Sequence, residues 1–387
     1  MQIYLDYSAT TPPHPLVIQR VQAVCGQTWG NPSSLHGWGN RAATLLEMAR
    51  MQVASLIGAA NPDEIIFTAG GTEADNLAIF GITDQYREPQ HLIISQVEHP
   101  AIAKAADFLA TQGWQVTRLG VNRRGQVDPQ DLEKAIQANT ILISVIYGQS
   151  EVGTIQPIAE LGAIAKKHHI TFHTDAVQAV GRIPIDLRQL PVDLLSLSGH
   201  KIYGLQGAGA LYVRDGIKLQ PRLYGGGQEH NLRSGTQNLP GIVALGMAAE
   251  LAEETMAQEI ERLSRLRNFL LNRGSSSPHL QITGDRHARL PHHVSFALRQ
   301  DSPLLGLTGK TLVRQMNLAG IGISAGSACH SGKLNPSTTL KAMGYSDQEA
   351  LSGIRLTLGA QTQMEDIEWT AIALEQILQR QPTVLLA

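Results

Sequence analysis

Cysteine is nearly absent: 387 residues hold only Cys25 and Cys329. Two thiols so far apart cannot staple a secreted scaffold, so a reducing compartment is expected. Nor can they supply the four thiolates of an iron–sulfur site. Aromatic residues are scarce, at 5%, against 43% apolar residues overall, so the core should be Leu, Ile, Val and Ala packing. Basic runs are missing and the formal net charge is −2, which argues against a dedicated nucleic-acid binder. No apolar stretch approaches the roughly 20 residues of a membrane span. The opening MQIYLDYSATTPPHP places an Asp and several prolines where a secretory signal needs an apolar core. What remains is a soluble, cytoplasmic globular protein, long enough for two or three domains.

Short runs rich in Ile and Val alternate with helical patterns over about 150 residues. EIIFT (64–68), HLIISQV (91–97), WQVTRLG (114–120), TILISVIYG (140–148), ITFHTDA (170–176) and VDLLSLSG (192–199) read as strands. TEADNLAIFGI, PAIAKAADFLA, DPQDLEKAI and PIAELGAIAKKHH, between them, read as helices. This alternation predicts an α/β fold: a mostly parallel, seven-stranded sheet with helices on both faces. GAGALYVR (207–214) follows a tight turn and reads as the antiparallel neighbour. A long helix over 239–272 leads to the Gly/Ser/Pro segment 273–279, with a domain boundary in or shortly before it. We expect a large domain over 15–260 and a smaller α+β domain over 261–387, joined by residues 1–14. Cys25 falls on a helical pattern, VIQRVQAVC, and is expected to be a buried small hydrophobe.

Ligands of open α/β sheets bind beyond the carboxyl ends of the strands, and chemically able residues gather at those ends. Gly70, Gly71 and Thr72 follow one strand, Glu98 and His99 another; Asp175 ends a third, and Ser198, Gly199, His200 and Lys201 end a fourth. A lysine desolvated at such a place can lose its proton and act as an amine nucleophile. Pyridoxal phosphate needs that amine, a carboxylate at its pyridine nitrogen and donors for its phosphate. Lys201 and Asp175 can supply the first two, and Gln178 can donate to the ring's phenolic oxygen. The two glycines and Thr72, opening a helix, offer backbone N–H groups to an anion. Ser198 and His200 add donors, and His99 can stack on the ring.

The runs HTDAVQAVGRIPID and SLSGHKIYG resemble the class V aminotransferase family, within the fold-type I pyridoxal phosphate enzymes. LDYSATTPP, WGNPSSLHG, FTAGGTEADN, EHPA, RSGTQN and SAGSACHSG narrow the resemblance to cysteine desulfurases of the NifS and IscS type, from Ile3 to about Gly359. The resemblance implies that Lys201 holds the cofactor, Asp175 pairs with the pyridinium, Gln178 meets the phenolic oxygen, and His99 stacks on the ring and moves a proton. Gly71, Thr72, Ser198 and His200 would take the phosphate, and Thr236 would reach the partner subunit's phosphate in a homodimer with shared active sites. Asn31 and Arg355 match residues at the substrate carboxylate, a task that suits a bidentate arginine.

The implied reaction converts L-cysteine to L-alanine and leaves the sulfur on Cys329 as a persulfide. A protein acceptor, such as an iron–sulfur scaffold or a thiolation relay, then takes it. Gly326, Ser327, Ala328, Ser331 and Gly332 flank Cys329 with small side chains, so the segment has few packing contacts to lose. One departure stands out. The family carries two asparagines before Glu where this chain has Gln149 and Ser150, and Ser150 is the shorter substrate-side residue. A C–S lyase or a selenocysteine lyase of the same fold is the alternative; neither needs a thiol at position 329.

Overall fold

The computed structural model of the chain describes residues 2–326 and 335–380. In chain order the elements begin with β1 (Ile3–Tyr4), α1 (Pro15–Gln27), α2 (Gly37–Ile57), β2 (Ile65–Thr68), α3 (Gly71–Thr83), β3 (His91–Ser95) and α4 (Pro100–Thr111). Next come β4 (Gln115–Leu119), α5 (Pro129–Ala135), β5 (Thr140–Ser144), α6 (Ile158–Lys167), β6 (Thr171–Asp175), β7 (Leu194–Ser198), β8 (Gly209–Val213) and α7 (Leu239–Ser275). The last part holds β9 (Leu280–Ile282), β10 (His293–Leu298), α8 (Gly309–Leu318), β11 (Ile321–Gly322), β12 (Ser324–Ala325), α9 (Thr338–Ala342), α10 (Asp347–Leu351), β13 (Ile354–Thr357) and α11 (Met364–Gln379).

The large sheet has seven strands in the order β2-β8-β7-β6-β5-β3-β4. β3 to β7 pair in parallel, and only β8 runs against its neighbours β2 and β7. Because β8 alone is reversed, β2, β3, β5, β6 and β7 all present their carboxyl ends at one edge. β2, β3 and β7 are buried along their whole length, which is why their sequences run apolar without alternation. One face is covered by α3 and α4, through Leu77, Ile79, Ile102 and Leu109. The other carries α1, α2, α5, α6 and the first half of α7, through Val17, Val53, Leu132, Leu161 and Leu245.

Helix starts are written in the sequence. α1, α4 and α5 each open with proline, preceded by His14, His99 and Asp128, whose side chains accept the N–H two residues on. Proline at the first helical position forfeits no hydrogen bond, and the cap satisfies an orphan donor. His99 therefore has a structural duty that also fixes its ring at the sheet's carboxyl edge.

α7 is continuous through Arg273–Ser275, three residues beyond its expected end, and Pro278 lies just past it. It serves two cores. Residues up to Ala249 pack on the large sheet, whereas Leu263, Leu266, Leu270 and Leu271 pack with Ile3, Leu5, Phe296, Leu312 and Leu374. That second core holds the antiparallel sheet β12-β13-β10-β9 and the parallel pair β1-β11. Ile3 and Leu5 thus pack in the second core, and LDYSATT lies against the edge of the large sheet, where the Ser8 and Ala9 carbonyls accept from Lys201. Cys25 departs from expectation. It lies on α1 but is exposed, because the buried face of that helix runs through Val17 and Val24.

A buried ion pair ties α2 to β2. Arg50 Nη1 donates to the Ile65 carbonyl at 2.5 Å and to Glu229 Oε2 at 2.8 Å, and that oxygen also accepts the Phe67 N–H at 2.9 Å. The two side chains are 4% and 1% exposed. Glu229→Ala leaves the buried Arg50 to the half-exposed Glu47, 3.2 Å away, and strips the Phe67 N–H of its acceptor, so it should cost about 3 kcal/mol of folding stability. A lower denaturant midpoint at unchanged slope would register it.

Candidate functional site

Four strand ends and the turn after β5 converge on one cleft of about 150 Å³, lined by Gly71, Thr72, Asp75, His99, Ile146, Ser150, Asp175, Val177, Gln178, Ser198, His200 and Lys201. Past Gly71, Thr72, Ser198 and His200 it widens into a hollow bordered by Gly70, Glu73 and Asn76. The turn into α3 requires its glycines. Gly70 sits at φ 154°, where a side chain is disfavoured, and a Cβ on Gly71 would lie 2.7 Å from Val177 Cγ2. α3 has no side-chain cap, so its first N–H groups border the hollow unclaimed by a side chain, as a phosphate site needs. His200 Nδ1 lies 3.0 Å from Thr10 Oγ1. Burial, then the neighbouring Lys201, lowers its pKa to about 4, so the imidazole stands neutral beside the anion site.

Lys201 Nζ donates to the carbonyls of Ser8 and Ala9, at 2.6 and 2.7 Å. Gln178 Nε2 donates to the same Ser8 carbonyl at 2.9 Å, which leaves its second N–H. The amine is desolvated and faces Arg355, and its pKa falls from 10.5 to about 8. Asp175 accepts the Val177 N–H at 3.0 Å. Burial raises its pKa, while His99, that N–H and Lys201 pull it down. His99 lines the cleft. Enclosure lowers its pKa, Asp175 opposes this, and Lys201 adds to it. Its Nδ1 accepts the Ala101 N–H at 3.2 Å, so the neutral ring carries its proton on Nε2.

Arg355, on β13, closes the cleft from the second core. Nη1 donates to the Ser150 carbonyl at 2.9 Å and Nη2 to Asp6 Oδ1 at 2.8 Å, while Nε is buried without a partner among the described residues. The contact with Ser150 runs through its main chain, which any residue at 150 provides. Gln149 organises that turn: its Oε1 accepts the N–H groups of Glu151 and Val152, and its Nε2 reaches Thr339. Glu151 is buried among Ser337, Thr339 and Arg355, and burial raises its pKa to about 7. A Cβ on Gly326 would meet its Oε1.

The cleft thus gathers eight residues singled out from sequence: Gly71, Thr72, His99, Asp175, Gln178, Ser198, His200 and Lys201, with Ser150 at its wall and Arg355 behind Ser150. Asn31 and Thr236 do not line it. Asn31 is exposed, and its Oδ1 accepts the Ser33 N–H at 2.9 Å in a local turn; Thr236 is exposed as well. Cys329 lies outside the described residues. Sequence reasoning missed Asp6, Asp75 and Glu151. Asp6 and Asp75 sit inside quoted motifs and Glu151 directly follows Ser150, but only the fold shows which side chain turns inward.

The donor set fits pyridoxal phosphate. It holds an amine whose pKa is brought near neutrality, a buried carboxylate across from it, and an uncapped helix start for the phosphate. The Aminotransferase class-V family model matches residues 3–369. The cysteine desulfurase IscS of Dictyoglomus turgidum is 43% identical over 385 residues, covering 99% of this chain and 96% of its own. That of Escherichia coli O139:H28 is 41% identical, covering 96% and 91%. Among solved structures, a NifS-like protein superposes with a TM-score of 0.90 at 32% identity, covering 98% of this chain and all of its own. DndA from Streptomyces lividans superposes at 0.77 and 33% identity, covering 92% and 99%. By sequence, architecture and the residues at its strand ends, the chain belongs to the class V aminotransferase family.

Proposed function

We propose that the protein is a pyridoxal 5'-phosphate-dependent cysteine desulfurase that converts L-cysteine to L-alanine and passes the sulfur through Cys329 to a protein acceptor. The observation that carries this reading is the cleft where the Lys201 amine, the Asp175 carboxylate and the His99 ring meet at the carboxyl edge of one sheet, with Arg355 behind its Ser150 wall. The relatives' names supply the substrate class. Pyridoxal phosphate, when bound, supplies a ring that accepts the electrons released as the substrate's Cα loses a proton.

The chain's residues do the rest. Lys201 would hold the cofactor through its amine, and the same amine is placed to carry the substrate's Cα proton. Asp175 would meet the ring nitrogen, Gln178 the phenolic oxygen, and His99 would cover the ring and offer its Nε2 proton. Gly71, Thr72, Ser198 and His200 hold the phosphate. Arg355 takes the substrate carboxylate. The Cys329 thiolate attacks the substrate's sulfur: a carbon–sulfur bond breaks, a sulfur–sulfur bond forms, and one proton goes to the carbon that becomes the methyl of alanine. The sum is cysteine plus an enzyme thiol giving alanine plus an enzyme persulfide, with no other reactant.

Thr236 does not line the cleft of its own chain, which supports the reading that it reaches the partner's phosphate in a homodimer with shared sites; Asn31, read as a residue at the substrate carboxylate, does not line it either. Trp29 and Leu35, on either side of Asn31, are 70% and 97% exposed, as expected of residues that a second copy covers. No helix among the described residues is long and apolar enough to cross a membrane. We place the enzyme in the cytoplasm, delivering sulfur to an iron–sulfur scaffold or a thiolation relay.

Incubation of the holoenzyme with L-cysteine and a reductant should yield alanine and sulfide in equal amounts; pyruvate and ammonia in place of alanine would overturn the assignment. Arg355→Lys keeps the charge but loses the planar fork. It should raise KM for L-cysteine about 10–100-fold, the worth of a charged hydrogen bond, with a smaller change in kcat. Steady-state kinetics separate the two.

A further inference from the structure

Asp75, one turn into α3, reaches the cleft from behind Asp175. Its carboxyl is 1% exposed and, among the described residues, its Oδ1 has no hydrogen-bond partner. Asp75, Asp175 and His99 each bring one ligand-type atom within 4.8 Å of the other two. Three elements pack charged or titratable groups around Asp75. β6 carries Asp175 and His173, the link from β3 to α4 carries Glu98 and His99, and β7 contributes the Ser196 hydroxyl, which hydrogen-bonds the Asp75 carboxyl.

None of these neighbours offers Asp75 a dedicated cation. His173 Nε2 approaches Oδ1 at 3.8 Å, yet its ring is held between Ser144 at 2.8 Å and Ser196 at 3.0 Å. Burial drives the His173 pKa to about 3, so that approach is not an ion pair. Glu98 accepts from Ser95 and Ile146 and leaves Oε2 buried without a partner; burial raises its pKa to about 8. Asp175 is better served, with the Val177 N–H, His99 and Lys201 all favouring its charge. Two buried carboxyls this close do not both ionise, and the proton goes to the one without compensation. Burial first, and Asp175 second, push the Asp75 pKa well up.

We propose that Asp75 is a positioning residue which, by keeping its own proton, leaves Asp175 as the one ionised carboxyl facing the cofactor's ring nitrogen. The inference rests on reading Asp175 as that nitrogen's partner. One negative charge then answers one positive charge across the ring, and the second carboxyl acts as a neutral donor to the Ser196–His173–Ser144 chain behind it.

Infrared difference spectroscopy at neutral pH decides the proton's place. Wild type minus Asp75→Asn should contain the C=O stretch of a protonated carboxyl, in apoprotein and holoenzyme alike. Wild type minus Asp175→Asn should contain carboxylate bands instead, and Glu98→Gln identifies the signal of Glu98. Carboxylate bands in the Asp75 difference would overturn the proposal. Should Asp75→Asn fail to fold, Asp75→Ala gives the same difference.

In the holoenzyme, the pH midpoint of the cofactor's absorbance should shift by less than about 0.3 units in Asp75→Asn. Loss of a real charge at this range would move it by about one unit or more, and a shift of that size would also overturn the proposal. If Asp175→Asn left the holoenzyme spectrum unchanged, the reading of Asp175 would fall, while the apoprotein arm would still settle the state of Asp75.

Discussion

Lys201→Ala should purify without covalently held cofactor and turn over L-cysteine more slowly by on the order of 10⁴-fold, the scale of a lost proton-transfer group. The argument starts from surroundings rather than residue type. Lys201 is the cation at the cleft floor, desolvated and facing Arg355, and its pKa falls to about 8. An ordinary lysine, at 10.5, would stay charged and unreactive near neutral pH. The neutral amine is the nucleophile, so uptake of pyridoxal phosphate by the apoprotein should quicken as pH rises and level off just above pH 8. Stopped-flow absorbance reads that curve; a rate still climbing toward pH 10 would refute the depressed pKa. Lys201→Arg should fail as Ala does, because a guanidinium keeps its proton. Turnover of Lys201→Ala within tenfold of wild type would remove the amine from the mechanism.

The large sheet was legible because its strands are buried on both faces and so read as continuous apolar runs. Its carboxyl edge was legible because parallel connection sends every forward strand to the same side. That placed Lys201, Asp175, His99 and Thr72 in one site before any geometry was known. The reversed strand β8 was legible too, from the tight turn before GAGALYVR.

Contacts made by segments distant in sequence were not legible. Asp6 reaches Arg355 because β1 pairs with β11, a two-residue strand with no periodicity to reveal it. The carbonyl of Ser150, which accepts from Arg355, was hidden for a related reason: a main-chain contact leaves no mark on residue type. Asp75 and Glu151 were hidden because helix and turn positions turn inward only once the second face of the sheet and the second core are in place. Cys25 shows the converse. A helical pattern establishes that a residue has a face, and tertiary packing decides which face is buried.

Cys329→Ala should keep the cofactor's absorbance and the spectral change on adding L-cysteine, yet lose alanine and sulfide formation by about 10³-fold or more, as removal of a covalent nucleophile does. The described residues on either side of Cys329 explain why a thiol there can meet the substrate. Ser324 is the register partner of Arg355 in the β12–β13 pair, and the Gly326 N–H donates to the Gly353 carbonyl at 3.0 Å. The chain therefore leaves the sheet beside Arg355, the arginine proposed to take the substrate carboxylate. Cys329 is three residues further, a span of at most about 10 Å. Cys25 is the other thiol and is exposed on α1, which makes it the control. Mass spectrometry after L-cysteine should find one added sulfur on Cys329 in both wild type and Cys25→Ala, and none in Cys329→Ala. Should Cys329→Ala form alanine at the wild-type rate, the carbon–sulfur bond breaks without an enzyme thiol, and the reaction is that of a lyase.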